Sequence, residues 1–141
     1  VELESREEII YETYAKTINL EALTMIDMAG KQIIPAVVKY TKALADTVNA
    51  VKAAGADAGT QIELLKETSE KLSAMQKALV ELEKAEKEAS TIEDAKEQAF
   101  FYKDEVKAGM EALRAPADKL ETIVDKKVWP LPSYGDLIFE V

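Results

Sequence analysis

Along residues 3–51, apolar side chains recur at intervals of three, four and seven, and this constrains the fold more than any other feature. Ile18, Ala22, Met25, Ile26, Ala29, Ile33, Ala36 and Tyr40 fall on one face of a helix. Leu20, Leu23, Ile34 and Val38 fall on a different face, away from the first. A helix that coats one core needs one apolar stripe, so two stripes on the middle turns predict packing on two sides. Gly30 and Pro35 interrupt the pattern. Proline removes a backbone donor and crowds the carbonyl four residues earlier, so a kink is expected near 31–34. The apolar phase nevertheless continues through Val37, Leu44, Val48 and Val51, which favours a kinked continuous helix over a break.

The segment Ala54-Gly-Ala-Asp-Ala-Gly59 reads as a loop. Thr60-Gln-Ile-Glu63 has the form of a capping box opening a second helix. That helix carries Leu65, Leu72 and Leu79 in one register and Thr68, Met75 and Leu82 in the other, a heptad seam of about three repeats. It closes in the charged stretch 81–88, expected to be a solvated helix end. Ser90-Thr-Ile-Glu93 reads as a second capping box. The third helix repeats Ile92, Ala99, Val106, Leu113 and Leu120 at sevens, alongside Ala95, Tyr102, Gly109, Pro116 and Ile123. Gly109 would allow close helix approach, and Pro116 predicts a bend after Ala115. Three helices with two short connections make the chain all-α: an antiparallel three-helix bundle with a long kinked first helix, over about 2–53, 60–89 and 91–127. At 1.5 Å per residue the first helix spans roughly 70–75 Å and the second about 45 Å. The second should then cover the first down to about Met25, leaving Ile9, Ile10, Tyr11, Tyr14 and Ile18 as an overhang in need of a partner.

The ending Val128-Trp-Pro-Leu-Pro-Ser-Tyr-Gly-Asp-Leu-Ile-Phe-Glu-Val141 is apolar, yet its prolines and glycine exclude a regular helix. It is expected to be an extended docking tail over 128–141. Trp129 and Tyr134 each combine a large apolar body with a polar donor, as anchors do. Two placements stay open, against its own bundle or onto a different domain or subunit. At the other end, Val1-Glu-Leu-Glu-Ser-Arg reads as the inside of a helix, with no Met and no cap, and predicts a piece of a longer protein.

Eighteen Lys and Arg against 27 Asp and Glu give a formal charge of −9, a balance that disfavours nucleic acid and anionic membrane surfaces. No apolar run approaches the roughly 20 residues a bilayer requires. With no His and no Cys, the commonest general base, the commonest metal ligand and the thiol nucleophile are excluded. Carboxylate pairs such as Glu7/Glu8 and Glu86/Glu88 sit on stretches that read as exposed helix faces. Gly55-Ala-Asp-Ala-Gly59 lacks the Lys-Ser/Thr of a phosphate-binding loop. No residue is assigned a catalytic, cofactor-binding or metal-binding role.

Three stretches carry a family resemblance: Ile18-Asn-Leu-Glu-Ala-Leu-Thr-Met-Ile-Asp-Met-Ala29, Tyr102-Lys-Asp-Glu-Val-Lys-Ala-Gly-Met-Glu-Ala-Leu-Arg-Ala115 continuing to Glu121, and the tail from Val128 to Phe139. Together they resemble the C-terminal region of the bacterial type III glutamine synthetases, the tail being the most specific part. The resemblance implies a large, cytoplasmic, homo-oligomeric parent enzyme that joins glutamate and ammonia using ATP and Mg2+. It implies that the catalytic machinery lies upstream, so no site residue is carried over. The expected role is scaffolding, with the catalytic region of the parent chain and neighbouring subunits as partners, no nucleic acid and no membrane. Tyr11, Tyr14, Leu20, Leu23, Trp129, Tyr134, Leu137 and Phe139 are the expected contact residues. Two alternatives remain: a stand-alone coiled-coil interaction or spacer protein, and a regulatory ligand-binding bundle.

Overall fold

A computed structural model describes residues 2–131, with Glu2 as backbone only. In order the elements are α1 (Glu2–Met28), a π turn (Ala29–Ile33), α2 (Ile34–Ala53), α3 (Gly59–Ser90), α4 (Ala95–Phe101), a second π turn (Tyr102–Val106) and α5 (Lys107–Ile123). Helix runs without a break through each π turn, so the bundle has three arms: α1–α2, α3 and α4–α5. The first arm is long and continuous. Its irregularity falls just before Pro35, where the Ile34 N–H reaches back five residues to the Ala29 carbonyl. Pro35 sits in the first turn of α2 and has no N–H to give, so the widened turn ahead of it absorbs the missing bond. The third arm carries a π turn for which the sequence gives no such cause, with the Lys107 N–H bonded to the Tyr102 carbonyl. Pro116 is buried inside α5, and the helix continues past it to Ile123.

The loop between the first two arms is fixed by its glycine. Gly55 has φ +84°, a left-handed conformation that favours glycine. The Gly55 N–H then bonds the Lys52 carbonyl and the Ala56 N–H bonds the Val51 carbonyl, closing α2 with a Schellman motif. The expected capping boxes do not form. Helix α3 starts at Gly59, so Thr60 lies inside it, and the Asp57 carboxylate accepts from the Gly59 N–H at 3.0 Å. Ser90 ends α3 instead of opening the next helix: its hydroxyl donates to the Lys87 carbonyl at 2.7 Å. The cap of α4 is Asp94, whose carboxylate accepts from the Glu97 N–H at 3.0 Å. Asp94→Ala should therefore cost about 1 kcal/mol, read as a lower midpoint in urea with an unchanged slope; an unchanged midpoint would show the cap to be idle.

The core runs between all three arms. Met75, Leu82, Leu113, Leu120, Val37, Val106 and Thr68 are its largest fully buried side chains, and each apolar one contributes about 1.5–3 kcal/mol of burial. The Thr68 hydroxyl is satisfied by the Leu64 carbonyl at 2.7 Å. Gly109 does allow close approach: a Cβ there would stand 3.1 Å from Leu82 Cδ1 and 3.7 Å from Leu82 Cα.

The overhang is smaller than helix lengths predict. The turn after Ser90 lies beside Glu12, Ala15, Lys16 and Asn19, not beside Met25. Helix α4 then continues along α1, bringing Phe100 to Tyr11 and Asp94 to Glu4–Glu8. Ile18 is accordingly core, and Tyr14 packs against the core. The π turn at Ala29–Ile33 contributes to this shift, because it takes more residues per turn and advances less per residue. After α5, Val128, Trp129 and Leu131 pack onto the bundle's own core.

Candidate interaction surface

Large apolar side chains left in solvent define three places on the described surface. The first lies at the start of α1, where Leu3, Ile9 and Ile10 are 71%, 60% and 65% exposed. Ile10 joins Tyr11, Tyr14, Ala99, Phe100 and Lys103 around a small apolar cleft. The Tyr11 and Phe100 rings pack there with centroids 6.2 Å apart at 45°, and the Lys103 ammonium sits 5.9 Å from the Phe100 ring centre. The second is a groove of about 550 Å³ between α1 and α5, lined by Leu20, Glu21, Thr24, Met25, Met28, Met110 and Arg114. The third lies between α2 and α3, where Ile34, Val38, Leu72 and Val80 form an apolar floor.

The structure brings Tyr11 and Tyr14 together in the first place and puts Leu20 in the second. Leu23 is exposed and lines none of the three. Trp129 is half-buried on its own bundle. Tyr134, Leu137 and Phe139 lie outside the described residues. The second apolar stripe of the first arm is thus split: Leu20 faces a groove shared with α5, whereas Ile34 and Val38 face one shared with α3.

One polar centre was not anticipated. The stretch 81–88 is not uniformly solvated, because Glu86 is only 6% exposed. Its Oε1 accepts from the Asn19 side-chain amide and from the Tyr102 hydroxyl, the latter at 3.2 Å, and the same Asn19 amide donates to the Tyr102 oxygen at 3.2 Å. Three arms meet in this triad. Its Oε2 is buried with no partner. Burial pushes the Glu86 carboxyl above the ordinary range, against the opposing pull of the two donors. Burial, with the carboxylate beside it, pushes the Tyr102 hydroxyl up to about 12. A signal for Glu86 was present: Leu65, Leu72 and Leu79 lead at the same interval of seven to position 86.

Among the described residues no three His, Cys, Asp or Glu side chains are grouped to hold a metal ion, and no helix is long and apolar enough to cross a membrane.

A family model described as the glutamine synthetase C-terminal domain matches residues 1–52. A glutamine synthetase of Butyrivibrio fibrisolvens is 33% identical over 99% of this chain, and one of Bacteroides fragilis is 31% identical over 98%. A type-3 glutamine synthetase of Dictyostelium discoideum is 30% identical over 99%. The chain spans 20% of the length of each of these curated relatives. A match that starts at residue 1 and an alignment along nearly the whole chain fit an all-helical bundle with apolar surface to spare, and the chain belongs to the glutamine synthetase family as its C-terminal helical domain.

Proposed function

We propose that this chain is a non-catalytic assembly domain of a type III-like, ATP- and Mg2+-dependent glutamate–ammonia ligase. Its partners are the catalytic region of the parent polypeptide and neighbouring subunits of a cytoplasmic homo-oligomer. One observation carries the reading: Leu3, Ile9, Ile10 and Phe100 leave large apolar side chains uncovered toward one end of the bundle. A cluster of this kind, away from any reactive constellation, has the composition of a contact surface. The cleft beside Tyr11 and Tyr14 gives a partner side chain a place to insert, and Lys103 gives its rim a charge.

The test is Ile9→Asp with Ile10→Asp, made both in the isolated chain and in the full-length enzyme. Both side chains are mostly in solvent, so the isolated domain should keep its melting temperature within about 2 °C. The full-length enzyme should lose its largest assembled species in light scattering during size exclusion. Unchanged mass in the full-length enzyme would overturn the proposal. The isolated chain is expected to show no glutamine-forming activity.

A further inference from the structure

Where α1 and α4 lie side by side they form one trough with two chemistries. Its apolar half is the cleft around Ile10, Tyr14 and Phe100, about 210 Å³ in volume. Its other half is lined by Glu4, Glu7, Glu8, Asp94, Ala95 and Lys96, four carboxylates against one ammonium. Tyr11 lines both halves, so they are continuous. Resting on the assembly role proposed above, we infer that the partner surface in this trough is an apolar segment flanked by lysines or arginines, and not a second copy of the same end.

Spacing along α1 ties the two halves together. Leu3, Glu7, Ile10 and Tyr14 follow one another at intervals of four, three and four, and so form one stripe of the helix. Leu3 and Ile10 are mostly in solvent, and Glu7 stands exposed between them. A surface laid over Leu3 and Ile10 therefore covers Glu7 as well. Taking a carboxylate out of water without a counter-charge is costly, so a purely apolar lid does not match the stripe. A lid that also sets cations over Glu4 and Glu7 gains apolar burial and charge pairing together. The trough supplies few cations of its own. Lys96 is the one that lines the acidic half, Arg6 on the same turns of α1 does not line it, and the Lys103 ammonium stands over the Phe100 ring at 5.9 Å. A second copy docking through this end would set the same four carboxylates against these, in a chain whose formal charge is already −9. The cleft is also smaller than the roughly 300 Å³ at which small-molecule sites begin, so it takes an inserted side chain and not a cofactor-sized ligand.

Charge reversal in the full-length enzyme tests this. Glu4→Lys, Glu7→Lys and Glu8→Lys are made together; Asp94 is left alone because its carboxylate caps α4. Light scattering on dilution gives the concentration at which half the enzyme is assembled. At low salt that concentration should rise at least about tenfold, and at about 1 M NaCl, where screening reaches within about 3 Å, it should converge on the parent value. The matching Glu→Gln triple, which keeps the side-chain shape, should shift the same way by less. No shift in either variant would overturn the inference. Tighter assembly of the lysine variant would overturn it too, being the result expected of an acidic partner or of a second copy of this end. Ile9→Asp with Ile10→Asp is run beside them. Loss of assembly there, with no change on charge reversal, leaves the assembly role standing and removes the basic partner; no change in any of the variants removes both. All three glutamates are exposed, so the isolated variants should keep their helix content by circular dichroism. Lost assembly then reports on the contact and not on unfolding.

Discussion

Leu82→Ala should lower the unfolding free energy by about 3 kcal/mol, within the 2–5 kcal/mol span of buried leucine truncations. Leu82 is fully buried where α3 packs on α5, against Gly109, whose missing side chain leaves the space that Leu82 fills. The rest of the core is held by three arms and cannot collapse into the gap without bending one of them. Gly109→Ala supplies the complementary half of the experiment. Alone it gains about 1 kcal/mol of helix propensity and loses a comparable amount by pressing a methyl 3.1 Å from Leu82 Cδ1, so its net effect should be close to zero. With Leu82 truncated the crowding is gone, and the same substitution should stabilise by about 1 kcal/mol. Urea unfolding followed at 222 nm for the four members of the cycle checks this. Additivity to within about 0.5 kcal/mol would show that the two residues do not share the site as described.

Glu86→Gln is the second large effect, and its sign depends on pH. The folded-state carboxyl titrates above its ordinary value of 4.5, mainly through burial. Between that value and the raised one, the folded state holds a proton that the unfolded state has released. The contribution of Glu86 to stability is therefore fully present below pH 4.5 and is lost as pH rises through the folded-state value. Above the raised folded-state value the domain carries a buried carboxylate with one oxygen unpartnered. Glutamine keeps an acceptor for Asn19 and Tyr102 and removes the charge. The variant should be more stable than the parent chain at pH 7–8, by about 1 kcal/mol, and should lose that advantage at pH 4. The readout is the difference between the two chains at each pH, which cancels the titration of the other acidic residues. A difference that does not vary with pH would sink the assignment.

The helical class, the three arms and most of the core were legible from periodicity, because Leu79, Leu82, Val106, Leu113 and Leu120 report a seam wherever sevens recur. The continuity of the first arm through Pro35 was legible too, from apolar phase on both sides of it. The caps were not. Thr60-Gln-Ile-Glu63 and Ser90-Thr-Ile-Glu93 satisfy the capping pattern, but Asp57 and Asp94 lie nearby and offer a stronger acceptor, and carboxylates take the free N–H groups. The extent of the overhang was misjudged because helix length alone fixes neither the slip between antiparallel arms nor the loss of advance at a π turn. Glu86 was missed for a different reason: a charged run reads as solvated, although its heptad position placed it inward. Its burial depends on a tyrosine sixteen residues away and an asparagine sixty-seven away, which no local window can see. Of the expected contact residues, Tyr11 and Tyr14 line one cleft, whereas Trp129 packs half-buried against its own core.

The level at which α5 stops has a mechanical consequence. Beyond Tyr40 and Ile123, α2 and α3 continue as a two-helix hairpin to the turn at Gly55, about 20 Å further at 1.5 Å per residue. The buried residues there, Leu44, Val48 and Ala58, are not part of the contiguous core that joins the three arms. Opening the hairpin tip exposes little and leaves the trunk intact, so the free energy of local opening is graded along the rod, high around Leu82 and low at the tip. Such a gradient gives the two ends of the domain different stiffness, a division that a uniform bundle of the same length would not have.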